Sequence, residues 1–173
     1  MRLNKVFRFL LLIFLYTGSS FAQNPLQMAS PDELIDKLKP SNAESTSRMR
    51  SMRNLVPEVK EKPSVDLVIQ FEFDSAKLLS TSKPLLMNLS KAINSDSLKT
   101  YVFVVEGHAD AVGSPEYNLK LSKQRADVVL NFLSEQGVDK KRLKAIGKGS
   151  TQLLLPDRPD AEENRRVRII HDS

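Results

Sequence analysis

TYVFVVEG at residues 100–107 and SPEYNLKLSKQRADVVLNFLSEQG at residues 114–137 decide the fold. The first is a near-continuous apolar run rich in β-branched and aromatic residues, the composition of a buried strand. The second opens with Ser114-Pro115-Glu116, a capping hydroxyl followed by proline in the first turn, and closes at Gly137. Those are start and stop signals of a helix. Working outward, VDLVIQFEF at 65–73 predicts an earlier strand. Ser82-Lys83-Pro84 opens a helix with Leu85, Leu86, Leu89, Ala92 and Ile93 on one stripe. Residues 143–147 predict a short strand, and NRRVRIIH at 164–171, alternating polar and apolar, predicts an edge or half-exposed strand. The order is β-α-β-α-β-β. It implies an α/β domain, an α+β sandwich, whose mixed sheet has at least one parallel pair and helices packed on one face.

The N-terminal third reads differently. Residues 1–22, MRLNKVFRFLLLIFLYTGSSFA, have a positive start (Arg2, Lys5, Arg8), an apolar run over 9–16 and small residues at 20 and 22. This is the pattern of a signal peptide cleaved after Ala22. The apolar run is well short of the roughly 20 residues that span a bilayer, so no transmembrane segment is expected after cleavage. Residues 23–64 read as an extension: Ser30-Pro31-Asp32-Glu33 is a capping box before Leu34, Ile35 and Leu38, and 41–53 (SNAESTSRMRSMR) has the composition of a flexible linker. So short a helix is unstable alone and either docks on the main domain or frays. Residues 65–173 are the folded domain.

The chain has 26 basic and 21 acidic residues, and three of the basic ones leave with residues 1–22, so 23 face 21 in the remainder. That balance, with no interleaving of aromatic and basic residues, gives no support to a nucleic-acid partner. The chain has no cysteine, which excludes disulfides, thiolate metal sites, a cysteine nucleophile and a lipid attached to cysteine.

Chemistry gathers after the 100–107 strand. Asp110 sits in a loop between Gly107 and Gly113, where ligands collect in α/β sheets, although an aspartate there also caps a turn. Arg125 lies four residues after Leu121 and three before Val128, on the apolar stripe of its helix. A guanidinium in that position needs an anionic partner, either a nearby carboxylate such as Asp110 or a ligand carboxylate gripped in bidentate fashion. Together, Asp110 and Arg125 suit a zwitterionic ligand end. Glu106, His108 and Asp110, spaced by two, are the alternative: a divalent-metal trio. Gly107 weakens the strand that would align them, and no second histidine cluster completes a zinc site. No GxSxG elbow is present. No enzyme, metal or cofactor is expected.

GHADAVGSPEYNLKLSKQRADVVLNFLSEQGVDKKRLKAIGKG, followed by NRRVRI and preceded by FEFDSAKL, resembles the OmpA-like peptidoglycan-binding domain. That family includes the peptidoglycan-associated lipoprotein and the periplasmic part of the flagellar stator. The resemblance covers about residues 65–170 and not 23–64. It implies a non-catalytic domain that grips the diaminopimelate residue of the stem peptide, with Asp110 on the ammonium and Arg125 on the carboxylate. It further implies that Phe73 and Asp74 line the pocket, that Asn118 and Leu121 lie near the ligand, and that Arg165 stands at the rim. Asn118 serves equally well as a hydrogen-bond hub. The family's Thr-Asp pair is Ala109-Asp110 here, and the loop over 151–163 departs from the family with its apolar run Leu153, Leu154 and Leu155. The implied protein is periplasmic, binds peptidoglycan and acts as an envelope tether or accessory, with residues 23–53 available to an envelope protein that associates it with the outer membrane. The alternative is a periplasmic protein-interaction module that uses the fold as a scaffold without binding the wall.

Overall fold

Strand β2, Val102–His108, runs through the middle of a four-stranded sheet with β1 (Ser64–Leu67), β3 (Leu143–Gly149) and β4 (Val167–Asp172). This is the arrangement in the computed structural model, which describes residues 28–40 and 62–172. The expected leader, its cleavage site and the linker over 41–53 lie outside the described residues. The spatial order is β1-β4-β2-β3. β2 and β3 pair in parallel, while β4 is antiparallel to both β1 and β2. Helix α2 (Lys83–Ile93) connects β1 to β2 and helix α3 (Pro115–Glu135) connects β2 to β3, so the β-α-β-α-β-β order and the mixed sheet are as expected.

Strand alternation sorts the side chains. Val65, Leu67, Phe103, Val105, Val167 and Ile169 join Leu86, Leu89, Ile93, Val129 and Leu133 of the helices in one buried cluster. Each such side chain contributes about 1.5–3 kcal/mol through burial. A further helix, α1 (Pro31–Leu38), docks on this body: Leu34 and Leu38 are fully buried in the same cluster. Its N-cap Ser30 accepts a hydrogen bond from the Glu33 N–H at 3.2 Å, and Asn88 Nδ2 donates to the Ala29 carbonyl at 2.9 Å. An eight-residue helix is marginal alone, so this docking holds it. On the opposite face Asp66 accepts from Arg166 Nε at 2.7 Å and from Arg168 Nη2 at 2.7 Å, with Asp66 and Arg166 both buried.

Two expectations change. The strand expected over 65–73 ends at Leu67, because its partner β4 begins at Val167, directly opposite. The residues beyond have no ladder to join and fold back on themselves: the Glu72 N–H donates to the Lys77 carbonyl at 2.9 Å and the Leu79 N–H to the Gln70 carbonyl at 3.0 Å. The last strand is half-exposed, with alternate residues buried, but it is not an edge strand. β4 is interior, between β1 and β2, and its alternation reflects an apolar face toward the helices and a charged face away from them.

Two glycines set α3 against the sheet. A Cβ on Gly107 would stand 2.1 Å from the Ser122 carbonyl oxygen, and one on Gly147 would stand 2.7 Å from that of Leu119. Only hydrogen at these positions lets the helix lie this close. Arg125, one turn beyond Leu121 on this helix, lines a cleft together with Ala109 and Asp110 of the loop that follows β2.

Candidate functional site

The loop after β2 is pinned from several sides. The Ala109 N–H donates to the Gly149 carbonyl and the Ala111 N–H to that of Pro159, both at 2.8 Å. Asn118, buried on the first turn of α3, donates through Nδ2 to the Asp110 carbonyl at 3.2 Å and the Val112 carbonyl at 2.9 Å. Asn118 is therefore a hydrogen-bond hub. Ser114 caps α3 by accepting from the Tyr117 N–H at 3.2 Å. Asp110 Oδ1 in turn accepts from the Val112 N–H at 3.1 Å, an aspartate turn that fixes the carboxylate.

This loop, the turn over 68–74, the start of α3 and Arg165 surround a cleft of ≈ 530 Å³. Asp110, Arg125, Phe73, Asp74, Asn118, Leu121 and Arg165 all line it. Asp110 is 9% exposed, and its Oδ2 pairs with Arg165 Nη1 at 2.8 Å. The carboxylate's ion-pair partner is thus Arg165. Arg125, half-buried, donates through Nε to the Ser75 carbonyl at 3.0 Å and lies over the Phe71 ring, 5.0 Å from its centre. Its two Nη groups make no hydrogen bond among the described residues. Burial first, then the charge of Arg165, lowers Arg125 from the ordinary arginine value, while Tyr117, Asp110 and Asp74 act in the opposite sense. Since a guanidinium stays charged regardless, the cleft presents a partly desolvated cation held by a carbonyl and an aromatic face.

Phe73 stands at the mouth, fully exposed, and Leu121 forms the floor at 9% exposure. Asp74, with φ +49°, accepts a hydrogen bond from the Tyr117 hydroxyl. Three contributors were not singled out from the sequence. Phe71 supports Arg125, Tyr117 ties the turn to α3, and Glu162 lies 3.7 Å from Arg165 Nη2. Phe71 shares the FEF alternation with Phe73, a signal that could have found it; the other two depend on how the turn and the 162–165 segment fold back.

Glu106 and His108 lie on the charged face of β2, with His108 Nε2 3.7 Å from a Glu106 oxygen. Lys148 pairs with the same glutamate at 3.2 Å. Asp110 is past the strand end and turned to Arg165. Among the described residues no three His, Asp or Glu side chains are grouped to hold a metal ion. The loop over 151–163 is largely exposed but is tied down by the buried Asn164, whose Oδ1 accepts from the Leu155 N–H at 2.9 Å and whose Nδ2 donates to the Arg158 carbonyl at 2.8 Å, and Leu153, Leu154 and Leu155 are half-buried.

Residues 70–167 match the OmpA family. The chain is 38% identical over 121 residues to outer membrane porin F of Pseudomonas aeruginosa, covering 66% of this chain and 33% of that protein. It is 40% identical over 101 residues to the peptidoglycan-associated lipoprotein of Mesorhizobium japonicum, covering 57% of this chain and 59% of that one. The chain thus spans less than two thirds of either relative. The crystal structure of the peptidoglycan-associated lipoprotein from Burkholderia pseudomallei superposes with a TM-score of 0.52 at 27% identity, covering 60% of this chain and 88% of that one.

Proposed function

The chain belongs to the OmpA family, and on that premise we propose that it is a non-catalytic periplasmic protein that binds peptidoglycan through the diaminopimelate residue of the stem peptide. Its role is that of an envelope tether or accessory. In this reading residues 1–22 are a leader removed after Ala22, residues 23–64 an extension and residues 65–173 the binding domain. Among the described residues no helix is long and apolar enough to cross a membrane, and a partner engaging residues 23–53 would associate the protein with the outer membrane.

One observation carries the reading: Asp110 and Arg125 line one cleft, and the Nη edge of Arg125 is free to accept a carboxylate among the described residues. The side-chain end of diaminopimelate carries an ammonium and a carboxylate on one carbon. Arg125 takes the carboxylate in a bidentate, charge-assisted pair, and its Nε contact with Ser75 means that little rotamer freedom is lost on binding. Asp110 takes the ammonium. Phe73, Asp74, Asn118, Leu121 and Arg165 complete the wall around them.

The test is cosedimentation of the purified protein with insoluble diaminopimelate-type peptidoglycan, beside Asp110→Ala and Arg125→Ala. Pelleting of the parent and neither variant is expected. A folded parent that stays in the supernatant would overturn wall binding and leave the protein-interaction module.

A further inference from the structure

The carboxylate assigned to the ligand's ammonium already has a cation on it. Asp110 Oδ1 is held by the Val112 N–H at 3.1 Å, and Oδ2 by Arg165 Nη1 at 2.8 Å. The two partners are not equally fixed. The Asp110 side chain is 12% exposed and fastened to its own loop, whereas that of Arg165 is 40% exposed and reaches in from the rim. Arg165 also has a second carboxylate within reach. Its Nη2 lies 3.7 Å from Glu162 Oε1, three residues earlier, and Glu162 is exposed. Arg125 has no such rival, since its one hydrogen bond among the described residues goes to a backbone carbonyl.

We propose that Arg165 is a placeholder for the ligand's ammonium, a specificity-determining residue that holds Asp110 until an ammonium displaces it onto Glu162. This rests on the diaminopimelate reading above. Its physical content is competition. Arg165 is covalently part of the chain, so it competes for Asp110 at a high effective concentration. A simple amine must displace it with a single contact. A zwitterionic end, whose carboxylate is already held by Arg125, makes the same exchange intramolecularly. The placeholder therefore rejects isolated amines and admits an ammonium that arrives beside a carboxylate. It also neutralises Asp110, which would otherwise repel that carboxylate.

The experiment is calorimetric titration of the purified protein with meso-diaminopimelate and with pimelate, which has the same carbon skeleton and two carboxylates but no ammonium. The proteins are the parent, Arg165→Gln, Glu162→Gln and the double variant. Arg165→Gln is expected to tighten diaminopimelate by about 1.5- to 5-fold, the range of an exposed ion pair, without tightening pimelate. Glu162→Gln is expected to weaken diaminopimelate in the parent but not in the Arg165→Gln background. Diaminopimelate bound equally or more weakly by Arg165→Gln overturns the placeholder and makes Arg165 a structural or direct ligand contact. Equal tightening of pimelate overturns it as well. Binding by neither parent nor variant overturns the wall-binding reading and the placeholder together, whereas binding by the parent with no gain in the variant overturns the placeholder alone.

Discussion

Tyr117 donates its phenolic O–H to the Asp74 carboxylate, joining the first turn of α3 to the turn that follows β1. The same turn supplies the Ser75 carbonyl that holds Arg125. Tyr117→Phe should therefore loosen the grip on Arg125 and weaken diaminopimelate binding by less than about tenfold, with the far-ultraviolet spectrum unchanged. The hydrogen bond to Asp74 also raises the Tyr117 ionisation above the ordinary tyrosine value of 10.0. Spectrophotometric titration should show a late-ionising tyrosine in the parent that is missing from the variant.

Arg125→Ala should abolish wall binding and leave the fold in place. Charge-assisted hydrogen bonds contribute about 1.5–3 kcal/mol each, so a lost bidentate pair lowers affinity by about 100-fold or more. Arg125→Lys should recover little of it, because an ammonium has no planar fork and stacks less well on Phe71. Pelleting assays read the loss, and circular dichroism checks the fold.

Gly107→Ala places a methyl 2.1 Å from a backbone carbonyl that cannot move alone. The expected cost is about 1–3 kcal/mol or more, the range for overpacking, read as a lowered midpoint in urea. Because α3 must shift to relieve the contact, binding should fall together with stability.

His108 is buried, and burial first, then the charges of Arg166 and Arg168, lower its pKa from 6.5 to about 3. The unfolded chain takes up a proton below pH 6.5 that the folded chain refuses. Stability should accordingly be at its full value above 6.5 and decline down to about pH 3, with a limiting slope of about 1.4 kcal/mol per pH unit. Urea unfolding at pH 7.0, 5.5 and 4.5 measures it, and His108→Gln should flatten the dependence in that window.

Asp66 titrates in a lower window. Burial pushes its carboxyl up, but the hydrogen bond from Arg168 and the charge of Arg166 outweigh it, and the net shift is below 3.8. Its contribution is present above that value and is lost as pH falls through the lower folded one. Asp66→Asn leaves Arg166 buried without its carboxylate, at an expected cost of about 3–5 kcal/mol at neutral pH. Chemical denaturation at pH 7 measures this.

The elements legible in the sequence were those whose signals are local. Strand β2 is an apolar run, α3 has its cap at Ser114, and α2 shows its stripe from Leu85 to Ile93. What was not legible depends on distant pairing. Nothing within 65–73 says that β4 starts opposite Leu67, and nothing in the alternation of 164–171 distinguishes an edge strand from an interior strand with one charged face. The site divides the same way. Arg125 on an apolar stripe was visible as a cation in need of a partner. That Arg165, 55 positions from Asp110, takes the carboxylate follows only from the return of the chain through 162–165.

Strand β1 also has a mechanical meaning. Its first residue, Ser64, and the cleft that follows its last, Leu67, lie at opposite ends of the β1–β4 ladder. A pull between Ser64 and a ligand in the cleft runs along the strand, so the ladder's hydrogen bonds are loaded together in shear. A pull between Ser64 and the end of β4, which pairs beside it, would instead peel the same bonds apart one after another. The ladder should therefore resist tension between Ser64 and a group held in the cleft better than tension between Ser64 and Asp172, the last residue of β4.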